Sequence, residues 1–125
     1  MNNINENYAL KGQKVNVLFG DSIVYLKLTD VIKSGLCLET NFLNDFEKNS
    51  VSLVKIAGKL RVKEFGKERE VAYFTFEDLA KNKILPTTEI TSKNNISDFK
   101  YNINSPGEYL FYFQRSNKAI IVVIN

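Results

Sequence analysis

The sequence predicts a mainly β chain: a small, strongly bent antiparallel β-barrel with one short helix and a C-terminal β-hairpin. Three observations predict it. Short segments alternate apolar and polar residues with period two, as at Val15, Val17 and Phe19, or at Leu60 and Val62. Glycine-containing turn signals separate them, at Gly20-Asp21, Gly35, Gly66-Lys67 and Pro106-Gly107. Only residues 77–85 carry a helical pattern. Short strands with short connections build barrels or sandwiches.

Residues 1–9 are polar and Asn-rich, so a flexible arm is expected. Residues 10–125 then form one domain: 10–85 the barrel core with the helix, 96–125 the C-terminal hairpin. "KVNVLF" and "SIVYLKLT", joined across Gly20-Asp21, read as a hairpin. In "LTDVIKSGLCLE", residues 28–39, one strand ends, Asp30 opens a tight turn, Gly35 closes it, and a second strand starts. Residues 41–50 read as a loop anchored by Phe42, Leu43 and Phe46. "VSLVKIA" is strand-like, but its alternation slips between Leu53 and Val54, which suggests a bulge. "KLRVKEF" alternates cleanly, and Gly66-Lys67 turns the chain into "REVAYFTF".

In residues 77–85, Leu79, Ile84 and Leu85 share an apolar stripe, acids lead, lysines follow, and Pro86 stops the helix. "TTEITSKNN" is a polar connector. Near the end, "EYLFYFQ" and "AIIVVI" flank the polar "RSNK". They predict an antiparallel hairpin whose second strand, lacking alternation, is buried on both faces or sits centrally.

At 125 residues the chain has the length of one domain. With 44% apolar and 25% charged residues it has an ordinary globular composition. A net charge of +3 permits phosphate or acidic partners without demanding them. There is no histidine and a single cysteine, Cys37. Ser–His and Cys–His nucleophile pairs, and zinc sites of the usual kind, are therefore excluded. Phosphate-cradling glycine motifs are missing too. No enzyme, cofactor or metal is expected. The N-terminal residues lack the pattern of a signal peptide, and the longest apolar run is too short to span a bilayer, so a cytoplasmic location without membrane insertion is expected. Cys37, amid leucines, reads as a small buried hydrophobe.

The stretch "DVIKSGLCLE" resembles the PilZ family, small β-barrels that bind cyclic di-GMP. Asp30 and Gly35 match the family's Asp/Asn-x-Ser-x-x-Gly signature in register, and "GLCLET" matches the strand after it. Ile32 stands where the signature has serine. The family's Arg-x-x-x-Arg before the first strand is replaced by Lys11 and Lys14 alone. Lysine does not reproduce the bidentate fork of arginine. The resemblance, over residues 11–85, thus implies a PilZ-like module with a degenerate ligand site at Lys11, Lys14, Asp30 and Gly35, which acts through protein contacts. The segment from "KVNVLF" to "GLCLE" is also similar to the first Sm motif of Sm/Hfq barrels, which implies an oligomeric RNA binder as the alternative. There, Ile56 replaces the family's histidine. A structural or host-modulating protein of phage type is a third alternative.

Two further features bear on partners. Lys55, Lys59, Arg61 and Lys63 form a basic stripe, read first as a solvated strand face and second as a phosphate or partner contact. Tyr109, Phe111, Tyr112 and Phe113 read as core in preference to a base-stacking platform. A protein partner is expected, with RNA and a homo-oligomer as alternatives.

Overall fold

The two most apolar segments of the sequence become the centre of the main sheet. A computed structural model describes residues 2–20, 22–41, 51–91 and 96–125. In chain order the elements are β1 (Asn2–Leu10), β2 (Gln13–Phe19), β3 (Ile23–Leu26), α1 (Leu28–Ser34), β4 (Leu36–Asn41), β5 (Val51–Lys55), β6 (Gly58–Glu64), β7 (Lys67–Phe74), α2 (Phe76–Lys81), β8 (Thr88–Thr91), β9 (Ile96–Tyr101), β10 (Gly107–Phe113) and β11 (Lys118–Ile124). Strands run β5-β10-β11-β1-β2-β7-β6 in the main sheet, with β3 added in parallel to β11. A second sheet has the order β4-β9-β8. Every other pairing is antiparallel.

The predicted C-terminal hairpin is β10–β11, with turn residues 114–117 between the strands. Both its faces are covered. Tyr109, Phe111, Val122 and Ile124 join a core with Val31, Leu36, Phe99 and Tyr101, supplied by α1 and the smaller sheet. Leu110, Tyr112, Ala119 and Ile121 join a second core with Leu18, Ala72 and Phe74 from β2 and β7. A third core lies within the β1–β2 and β6–β7 ribbons, around Val15, Val17, Val62 and Val71. The aromatics of β10 are thus core residues, on two faces instead of one.

The two-faced burial also explains Leu53 and Val54. Their slip is not a bulge, because β5 pairs with β10 in unbroken register from Val51 to Lys55. Both residues are fully buried, Leu53 in the first core and Val54 in the second. A strand sandwiched between two cores has no reason to alternate.

The sheet does not close into a barrel: β5 and β6 are its two ends. They are joined through Ile56 and Ala57 and do not pair with each other. The chain itself crosses the seam. Ile56 N–H donates to the Glu108 carbonyl at 3.0 Å, and Ala57 N–H donates to the Tyr73 carbonyl on the opposite side at 3.2 Å.

Residues expected as a flexible arm supply β1. Asn2 is fully buried, and its amide explains why a polar residue belongs there. Its Nδ2 donates to the carbonyls of Ser22 at 2.9 Å and Ala119 at 3.3 Å, and its Oδ1 accepts from Ser22 N–H at 3.2 Å. The hairpin expected between residues 14–19 and 22–29 does not form. β2 pairs with β1 and β7, while β3 lies along β11. The expected polar connector contains β8, paired with β9. The loop anchors Phe42, Leu43 and Phe46 lie outside the described residues.

The turn expected at Asp30 is a helix. Leu28 and Val31, three apart, face the first core, while Asp30 and Lys33 sit at the ends favoured by the helix dipole. Gly35 terminates α1 at φ +77°, and its N–H donates to the Val31 carbonyl at 2.7 Å. An added Cβ would meet the Lys100 side chain at 2.5 Å. Lys100 can move aside, but the left-handed backbone stays strained for any L side chain. Gly35→Ala is expected to cost about 1 kcal/mol or more. An unchanged urea midpoint would contradict this.

The expected helix over residues 77–85 is shorter in the structure. α2 is capped by Thr75, whose Oγ1 accepts from Asp78 N–H at 3.0 Å while Asp78 Oδ2 accepts from Thr75 N–H at 3.1 Å. Burial alone would raise the Asp78 carboxyl, but its hydrogen bonds from Thr75 and Asn82 outweigh this and hold it below the usual value. The helix stops at Lys81, which frees Ile84 to bridge to Leu53 while Leu85 points into solvent. β6 and β7 meet in a two-residue hairpin, with Glu64 opposite Lys67. Its tip is Phe65-Gly66, at φ +51° and +76°.

Candidate functional site

The layers that enclose the second core part at one end. Leu18, Ala72 and Ile121 share the second core there, on the face of β2 and β7 opposite Val17 and Val71. The gap is a cleft of about 400 Å³. Its floor is apolar, from Leu18, Ile56, Ala72 and Ile121, and Lys59, Arg69, Glu70 and Glu108 carry charge around it. This is the size of a small-ligand or side-chain pocket. Lys59 Nζ lies 3.5 Å from Glu108 Oε1. Both are substantially exposed, so the bond contributes about 0–1 kcal/mol and breaks easily. The Arg69 guanidinium stands 5.8 Å from the centre of the Phe19 ring. Gly20, at φ +126°, turns the chain beside the cleft, where a Cβ would meet Asn2 Oδ1 at 2.7 Å.

One wall is Ile23, the first residue of β3. β3 uses only one of its edges among the described residues. Ser22 and Leu26 carbonyls accept from Ile121 and Asn125 N–H, at 3.4 and 3.0 Å. In a parallel ladder the residues between them turn their backbone groups the other way. Ile23 and Tyr25 therefore present N–H and C=O outward, and no described strand pairs with them. Their side chains share the face of Ile121, to which Ile23 is registered. Ile23, Val24 and Tyr25 are 40%, 44% and 67% exposed. Natural proteins usually guard such edges with charge or a covering loop. Here the strand side chains are apolar.

No family model matches the chain, and no curated protein or solved structure matches it either.

Of the candidate ligand-site and contact residues read from the sequence, Lys59 alone lines the cleft, together with Arg69 at the hairpin end of the basic stripe and Ile56, the position compared with the Hfq histidine. Lys11 is in the β1–β2 turn at φ +50°, and Lys14 is exposed on β2. Asp30 and Gly35 are on α1 and its cap, against the first core. The four are thus split between the β1–β2 ribbon and the α1 layer. Lys55 Nζ stands 5.9 Å from the centre of the Tyr109 ring. Arg61 Nη1 lies 3.8 Å from Glu68 Oε2 across the hairpin, and Lys63 is registered with Glu68. Cys37, expected to be buried, is exposed on β4, because Leu36 and Leu38 take the inward positions. Among the described residues no group of three His, Cys, Asp or Glu is placed to hold a metal ion. None of their helices is long and apolar enough to cross a membrane.

Sequence reasoning did not single out Ile23, Glu70 or Glu108 for a site. A usable signal was there for β3 alone: a run of four apolar residues, Ile23 to Leu26, too short for a buried central strand of its own.

Proposed function

We propose that the chain is a non-enzymatic binding module that works through protein contacts, by capturing an extended polypeptide segment along β3 beside the cleft. The carrying observation is the apolar edge of Ile23, Val24 and Tyr25, with which no described strand pairs. Strand addition draws affinity from main-chain hydrogen bonds and selectivity from pockets for alternate side chains. β3 offers the first, and the cleft next to Ile23 offers the second. The PilZ-like reading is kept as that of a module whose nucleotide site is degenerate: the two signature residues, Asp30 and Gly35, lie on α1 and its cap, apart from Lys11 and Lys14 on the β1–β2 ribbon. The RNA reading has less support, because Lys59 and Arg61 of the basic stripe each face a glutamate.

The test is selection of short random peptides displayed on phage, against the full chain and against Tyr25→Pro. Tyr25 N–H points to the free edge, so proline removes a donor that only the added strand uses and leaves the β11 ladder intact. Peptides with alternating apolar residues are expected, with at least about tenfold weaker binding to the variant. If no peptide is enriched, or binding ignores the proline, the reading fails.

A further inference from the structure

A second strand edge borders the cleft. β7 pairs with β6 from Lys67 to Tyr73 along one edge. Along its other edge it pairs with β2 at Tyr73 and Phe74 alone. From Val71 back to Lys67, no described strand pairs with that second edge. Ala57 N–H reaches the Tyr73 carbonyl on the β6 side. The odd-numbered residues of β7 therefore turn their backbone groups toward β6, while Glu68 and Glu70 turn theirs away. Glu70 lines the cleft, and so does Ile23 of β3. The strand order explains how the two edges come to border one cleft. β11 holds β1 at Lys118 and Ala119, then β3 from Ile121 to Ile124, so β3 continues the row of β1. β2 lies between β1 and β7 and ends at Phe19, where the chain steps across through Gly20 into β3. At the level of β3, no described strand lies in the row of β2.

We infer that the captured polypeptide is inserted as a strand between β3 and β7, in line with β2, and is hydrogen-bonded along both of its own edges. This rests on the reading of β3 as a receptor edge and adds a second edge to it. The complementarity is one of partial charge. Each bordering edge presents N–H and C=O groups in alternation, and a main chain in strand conformation answers both rows at once. A small molecule or a nucleic acid carries no such double row. Side chains narrow the partner further. Those turned toward the second core meet Leu18, Ala72 and Ile121, so alternate residues of the segment are apolar. β3 runs with β11 and β2, while β7 runs against them. The segment is therefore parallel to one neighbour and antiparallel to the other, whichever way it enters.

The test takes a peptide enriched on the full chain in the selection above and replaces its amides by esters, one at a time. An ester removes one N–H donor and keeps the shape of the chain. Successive N–H groups of a strand point to opposite edges. An inserted segment should therefore lose affinity at amides of both sets, by about three- to tenfold each, measured by fluorescence anisotropy. Losses confined to every second amide mean addition to β3 alone. That result overturns the insertion and leaves the receptor reading standing. Glu70→Pro reads the same point from the protein, because it removes a donor that β6 does not use. Binding should weaken by a similar factor, and unchanged binding to a variant that still melts cooperatively overturns the insertion as well. If Glu70→Pro does not fold, the ester series decides alone. A wild type that enriches no peptide removes the receptor reading and the insertion with it, and self-association in that case names a second copy as the occupant.

Discussion

A fragment of residues 1–91 will not fold cooperatively. It lacks β10 and β11, and with them Tyr109, Leu110, Phe111, Tyr112, Ala119, Ile121, Val122 and Ile124, all buried. Fully burying a large apolar side chain contributes about 1.5–3 kcal/mol. Several such losses exceed the roughly 5–15 kcal/mol that holds a whole domain together. The damage spreads, because β5 and β3 pair with nothing else in the main sheet and β1 loses one of its two neighbours. Far-UV circular dichroism during heating is the measurement. A sharp melt from the fragment would mean that the first 91 residues hold a complete core, contrary to the layered arrangement described above.

The second large effect is at Leu110. It is fully buried on β10, in the core shared with β2 and β7. Leu110→Ala should lower the free energy of unfolding by about 2–5 kcal/mol, since removed methyl groups leave a cavity that rigid strands cannot close. Leu85→Ala is the matched control. Leu85 is 65% exposed and should change stability by no more than about 0.5 kcal/mol. Urea titration of both variants decides the matter. Equal midpoints would show that β10 is not the centre of the fold.

Much of the mainly β architecture was legible because period-two patterns survive wherever one face is wet. β6 is the clearest case, with Leu60 and Val62 turned in while Lys59, Arg61 and Lys63 face solvent. The β10–β11 hairpin was legible for a related reason, since two apolar runs around "RSNK" have nowhere to go except into a core. Legibility failed where tertiary contacts overrode local preference. α1 contains Thr29, Val31 and Ile32, all β-branched, and its N-cap, Lys27, makes no side-chain capping bond. It is helical because Leu28 and Val31 pack into the first core and Leu28 N–H donates to the Asn125 carbonyl at 2.8 Å. The polar N-terminal strand depends likewise on what Asn2 finds in Ser22 and Ala119. The cleft was illegible because its lining comes from β2, β3, the β5–β6 link, β6, β7, β10 and β11. Only folding brings these together.

The way β11 serves two strands along one edge has a consequence for synthesis. Its first residues hold β1, through Asn2 and Asn3, and its later residues hold β3. The bond from Asn2 to Ala119 joins residues 117 positions apart. As the ribosome feeds out the chain, β1 and β3 emerge long before the strand that unites them. Closing so long a loop precedes any gain from the contact, which places the fold among slow, non-local ones, with folding times of roughly milliseconds to seconds. Until β11 arrives, Ile23, Val24 and Tyr25 lack the one described strand they pair with. A nascent chain in that state is a natural client for a chaperone that holds apolar strands.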